Sequence, residues 1–253
     1  MFSWPLIRYI TTAALRDRLI LSVFVLMAVG ASLSIFLGSA AVNEADQFAV
    51  VFAAGGLRLA GALGLVLFIV FYLRRSFETR DVDYLLARPI SRMSFLFSHS
   101  LCFMIIAGII TLFVAMAVFA IAPHIIHEGY ALWVFSLWVE YVIVANVALF
   151  FAMVLPNAAA SALAVFAFYV LSRMIGHLIG IADTRLDIAG ADMLNATIDL
   201  VSLFVPRLDL MAQTTWLIYG SENFSFLFIS VQGVLFSFLA LMAALVDLLK
   251  REF

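Results

Sequence analysis

The sequence predicts an all-α polytopic membrane protein: six transmembrane helices, an N-terminal interfacial helix, a cytoplasmic charged helix and short external helices before the last span. Three observations predict it. First, 66% of the 253 residues are hydrophobic and 12% are charged, with a mean hydropathy of +1.16. Soluble domains run near 45–50% apolar and about 25% charged. A chain this apolar cannot cover a surface that faces water, so lipid must cover it. Second, six apolar stretches reach the roughly 20 residues that a span requires. Third, these runs are far longer than a barrel strand and lack its alternation, and in lipid a helix satisfies its own backbone groups. Residues 1–253 read as one transmembrane domain.

The elements follow in order. Trp4, Ile7, Ile10, Ala14 and Leu15 recur near helical spacing, opposite Arg8, Thr11 and Thr12. This predicts a helix lying along the membrane surface. The segment lacks the compact apolar core and small-residue cleavage site of a signal peptide, so it reads as retained. The spans are expected at 19–41, 51–73, 95–122, 131–155, 158–181 and 226–245. Gly55, Gly56, Gly61 and Gly64 in the second span have small-residue spacing, and Gly56 to Gly64 is expected to line a face for close helix packing. Between the last two spans, Leu194, Ile198, Val201 and Val205 alternate with Asp192, Asn195, Asp199 and Ser202 as an amphipathic helix ended by Pro206.

Charge sets the orientation. With the N-terminus in the cytoplasm, Arg8, Arg16, Arg18, Arg74, Arg75, Arg80, Arg88, Arg92, Lys250 and Arg251 all fall inside. Arg58, Arg173, Arg185 and Arg207 alone fall at or beyond the outer side, which is a positive-inside bias. An even number of spans returns the C-terminus to the cytoplasm. The net charge of −2 gives no case for a nucleic-acid partner. The lone Cys102 excludes an internal disulfide and reads as a small buried hydrophobe. His124, His127 and Glu128 cluster at an external turn, but a proline-broken turn is a poor frame for converging ligands, and no metal site is expected.

The segment from Arg74 to His99 is too charged to enter lipid. Val82, Leu85 and Leu86 form a short apolar stripe among Arg75, Glu78, Arg80, Asp81 and Asp83. Pro89 breaks this helix, because it pushes Arg88 away from α geometry. Such an element is charged, held at both ends by spans, and suited to transmit force. The plain alternative is a juxtamembrane helix resting on anionic lipid.

The run Glu78-Thr-Arg-Asp-Val-Asp-Tyr-Leu-Leu-Ala-Arg88-Pro89-Ile90-Ser91-Arg92 resembles the intracellular loop of ABC transporter permeases of the type-2, exporter-like class. In that class an acidic residue, two leucines and a Pro-x-Ser-Arg turn precede the third span. Phe204 to Asp209 and Trp216 to Gly220 resemble its external region, and the likeness extends over the whole chain; a glycine that the class carries in this loop is absent. The resemblance implies a permease homodimer docked to two copies of a separate ABC ATPase, in the cytoplasmic membrane of a bacterium. ATP and Mg would be bound by that partner; this chain has no GxxxxGK[ST] loop and is not expected to be an enzyme or to bind a cofactor. Glu78, Asp81, Asp83, Tyr84, Arg88, Pro89 and Arg92 would form the ATPase-coupling helix. Transport would be outward. The competing expectation is a membrane scaffold or assembly subunit, for metalloenzyme maturation or another complex, that moves nothing itself.

Four polar residues lie inside the spans. Glu140 falls well within the fourth, about 14 Å from its outer end at 1.5 Å per residue. Asn146 follows on a different side, and Arg173 and His177 stand four apart in the fifth span. An acid in the membrane must face protein or a wet cavity. These residues either line a pathway or lock two helices through a Glu140–Arg173 pair.

Overall fold

The computed structural model describes residues 4–39, 45–79, 91–121, 123, 129–183, 205–220 and 225–250, without the side chains of 5, 6, 15 and 177–183. Among the described residues the regular elements are helices and no strand occurs. They are α1 (Trp4–Arg16), α2 (Arg18–Ser39), α3 (Ala45–Glu78), α4 (Arg92–Ile121), α5 (Gly129–Val154), α6 (Ala158–Asp183), α7 (Trp216–Tyr219) and α8 (Phe226–Lys250), with a 3₁₀ turn at Leu208–Leu210. Six of them, α2 to α6 and α8, are long and apolar enough to cross a membrane. The all-α, six-span architecture expected from the sequence is therefore present.

Local chemistry sets the boundaries. Asp17 breaks α1 from α2 and caps α2, its Oδ1 accepting from the Leu19 N–H at 2.8 Å. Ser91 Oγ caps α4 by accepting from the Ser94 N–H, and Ser225 Oγ caps α8 through the Phe228 N–H. Pro156 and Asn157 separate α5 from α6, and Asn157 Oδ1 accepts from the Ala160 N–H at 2.7 Å. Gly220 stops α7 at φ 79°, a left-handed conformation that favours glycine.

The centre of the bundle is α5, which packs against α3, α4, α6 and α8. In their most apolar windows α5 is 72% buried, whereas α2 is 17% and α8 28% buried. The outer helices thus turn Leu26, Val29, Phe36, Val231 and Val234 outward, as lipid-facing helices do. At its 34 residues, about 51 Å of helix, α3 overshoots a hydrocarbon core of about 30 Å. It continues five residues past the expected end of its span and absorbs Arg74, Arg75 and Glu78 into one rigid rod.

Two of the four glycines in α3 account for its close approach to neighbours. A Cβ at Gly64 would strike Val23 of α2, and one at Gly61 would strike Tyr141 of α5 and Met27 of α2. Gly55 and Gly56 have open space. The close face therefore runs through Gly61 and Gly64, not from Gly56 as the spacing suggested. Helix α1 buries Ile7, Ile10 and Ala14 and leaves Arg8 exposed, as its pattern predicts. Trp4, 73% exposed, stands away from the protein. Thr11 reaches Cys102 of α4, with Oγ1 and Sγ 3.2 Å apart, and Cys102 is buried as expected.

One end of the bundle gathers the cations. Arg16 and Arg18 at the α1–α2 junction and Arg74 and Arg75 on α3 line a common cavity of about 1010 Å³ with Glu78 and His99. The expected amphipathic stripe at 192–205, the His124–His127–Glu128 turn and the charged segment 80–90 lie outside the described residues, save Val205.

Candidate functional site

The far end of the bundle holds a polar centre built from three spans and the segment 205–220. On α5, Trp133, Ser136 and Glu140 stand three and four residues apart and share one face. On α6, Tyr169 and Arg173 stand four apart. Arg58 comes from α3. These side chains converge on a short stretch of backbone at Leu208 to Ala212.

Glu140 is fully buried. Its Oε1 accepts from the Tyr169 hydroxyl at 2.8 Å, and its Oε2 lies 3.3 Å from Arg173 Nη1. The same Nη1 donates to the carbonyls of Leu208 at 2.5 Å and Met211 at 2.9 Å. One guanidinium nitrogen has two hydrogens, and the two carbonyls are its nearer acceptors. Glu140 therefore neutralises Arg173 by proximity, while its short directed bond is to Tyr169.

Ala212 is held on three sides. Its N–H donates to Ser136 Oγ at 2.8 Å. Its carbonyl accepts from Arg58 Nη1 at 2.7 Å and from Trp133 Nε1 at 3.2 Å. Its φ of 45° lies in the left-handed region, which costs an alanine about 1–2 kcal/mol. Those bonds hold the strain in place. Tyr141 closes the cluster by donating to the Arg58 carbonyl at 2.9 Å, in the space that Gly61 leaves open. Gly176 plays the same part on α6, where a Cβ would collide with Asp209, itself paired with Arg207 at 2.8 Å. The result is a plug: residues 205–220 are bonded into the mouth of the bundle through backbone carbonyls. Arg58 Nε is buried without a partner among the described residues.

Of the intramembrane candidates, the structure brings Glu140 and Arg173 together. Asn146 does not join them. Six residues on from Glu140, it turns to α4, where its Oδ1 accepts from Ser100 at 2.6 Å. The His177 side chain lies outside the described residues, although its backbone continues α6. Sequence reading missed Tyr169, Trp133, Ser136 and Tyr141. The spacing of 133, 136 and 140, and of 169 and 173, was the available signal: polar or amphipathic residues on one face of otherwise apolar helices.

At the basic end, Glu78 is exposed as the last residue of α3. Arg92, half-buried, reaches the end of α8. Its Nη1 donates to the last-turn carbonyls of α8, Leu248 at 2.8 Å and Leu249 at 3.1 Å, and so caps that helix. Asp81, Asp83, Tyr84, Arg88 and Pro89 lie outside the described residues. Among the described residues no group of three His, Cys, Asp or Glu side chains converges as a metal site would. In comparisons with known proteins, neither a family model nor a curated protein matches this chain.

Proposed function

We propose that this chain is the membrane-spanning permease subunit of an ABC transporter, working as a homodimer and driven by a separate ATPase that binds ATP and Mg. The observation that carries the reading is mechanical. One uninterrupted helix, α3, joins the charged segment to the plug: Glu78 ends it, and Arg58, twenty residues or about 30 Å earlier, grips Ala212. A push at Glu78 thus reaches the plug without crossing a loop. The likeness of residues 78–92 to a coupling segment supplies the direction of the force, from a cytoplasmic partner outward. The positive residues at the Glu78 end support placing that end in the cytoplasm, with both termini. The left-handed φ of Ala212, held by hydrogen bonds from two helices, α3 and α5, supports a plug with a second arrangement.

The scaffold reading draws on the same centre. Glu140 spends both oxygens on neighbours, as a static lock would. The experiment that separates the two is purification of the tagged chain from its native membranes. The transport reading expects a P-loop ATPase in equal amount, with ATP hydrolysis that falls several-fold in Glu78→Lys while the complex stays assembled. A complex without a nucleotide hydrolase overturns it; a Glu78→Lys complex with full hydrolysis overturns the coupling role of Glu78 alone. Arg92→Glu is the wrong probe, because it uncaps α8.

A further inference from the structure

On the face of α5 turned away from Glu140, a second feature stands apart from the plug. A slot of about 360 Å³ lies between α4, α5 and α8. Its walls include Met104, Phe135, Trp138 and Phe238, and among the described residues no charged one lines it. It follows α5 from Phe135 to Asn146, eleven residues or about 16 Å of helix. Gly233 lets α8 approach α5 at Val139, where a Cβ would collide, so the two helices meet closely at the slot. Val234 and Phe238 on its rim are 71% and 53% exposed, which leaves the slot open to the lipid side.

Its polar groups are few and uncharged, and Ser230 Oγ donates to the Phe226 carbonyl. Ser100 and Asn146 bond each other at 2.6 Å, and Asn146 Nδ2 also donates to the Val142 carbonyl. Ser237, which lines the slot from α8, differs: its Oγ is buried and has no hydrogen-bond partner among the described residues. A buried hydroxyl left unpaired is costly, because it has given up its water without gaining a partner. Ser100 lies eight residues into α4, about 12 Å from the basic end, so the Ser100–Asn146 group sits within the hydrocarbon depth. A charged headgroup is excluded there by the cost of burying it, and a phospholipid keeps its headgroup at the interface. A long slot with uncharged walls and an unpaired hydroxyl fits a different molecule.

We propose that this slot binds one uncharged, single-chain amphiphile taken from the bilayer, its hydrocarbon chain between Trp138 and Phe238 and its hydroxyl or amide paired with Ser237 Oγ. The site is independent of ATP coupling and stands whether the chain moves a substrate or scaffolds a complex.

Trp138 reports on it. The protein is reconstituted in phosphatidylcholine vesicles and titrated with terminally brominated dodecanol, whose bromine quenches nearby indoles. A saturable quench is expected in the wild type and absent in Trp138→Phe. Ser237→Ala should weaken the alcohol about fivefold, the loss of one neutral hydrogen bond, and leave brominated dodecane unchanged. Ser237→Phe fills the slot and should abolish saturation; Ser237→Ala keeps the test decisive if that variant does not fold. Brominated dodecanoate should quench only linearly. Linear quenching by the alcohol as well, equal to that by the carboxylate, means annular lipid only and overturns the proposal, as does an alcohol affinity unmoved by Ser237→Ala.

Discussion

At Glu140 the two carboxylate oxygens carry unlike bonds, and each predicts its own mutational cost. Glu140→Gln retains an oxygen acceptor for Tyr169 and removes the charge beside Arg173, leaving a mostly buried guanidinium with carbonyl partners alone. Breaking a buried pair from one side costs about 3–5 kcal/mol. A clear fall in the thermal midpoint of the detergent-purified protein is expected. Adding Arg173→Gln should restore part of it, because the uncompensated charge is then gone. Additive losses in that double-mutant cycle would mean that the two charges do not interact. Tyr169→Phe tests the other bond and should cost about 1.5–3 kcal/mol, since the hydroxyl serves an ionised acceptor. What the sequence conveyed here was that an acid inside a span needs a partner. It did not convey which oxygen goes where, because Tyr169 and Arg173 both lie one helix away and the choice depends on how α5 and α6 are rotated.

Helix α3 shows what patterning reveals about an element and where it stops. Its apolar run was legible, and so was its glycine content. The ends were not, since Arg74, Arg75 and Glu78 read as a new charged segment. Helical hydrogen bonding does not stop where lipid stops, however, and no proline intervenes before Pro89. The glycine face was also misassigned, because small-residue spacing repeats in several registers and only the position of Val23, Met27 and Tyr141 selects one. This selection is testable. Gly64→Leu should sever α2 from α3, and Gly61→Leu should push Tyr141 off the Arg58 carbonyl. Gly56→Leu adds its side chain to open space. The first two should lower the thermal midpoint and the yield of folded protein, and the third should leave both unchanged. A Gly56→Leu variant as unstable as Gly64→Leu would show that the α2–α3 interface has another register.

Across the whole molecule, the sequence made the six spans and their charge asymmetry legible, while the plug was hidden. Residues 205–220 carry no strong period of their own, and what fixes them is a set of backbone carbonyls and one N–H that sequence cannot display. The two ends of α3 nonetheless make separable predictions. Glu78 belongs to the end that would meet the ATPase, and Arg58 to the end that holds Ala212. Replacing Cys102 with alanine and then Met211 with cysteine places the single thiol in the plug, where the native side chain is buried. If the chain is the proposed permease, labelling of its complex with the ATPase by a membrane-impermeant thiol reagent from the outer side should be slow at rest and accelerate on adding ATP. Arg58→Gln removes the guanidinium grip on the Ala212 carbonyl, so labelling should be fast and independent of ATP, while hydrolysis by the partner continues. Glu78→Lys should do the reverse, keeping labelling slow with ATP present. If Met211→Cys labels at one rate in all three backgrounds, with and without ATP, the plug is a fixed cap, and α3 transmits nothing to it.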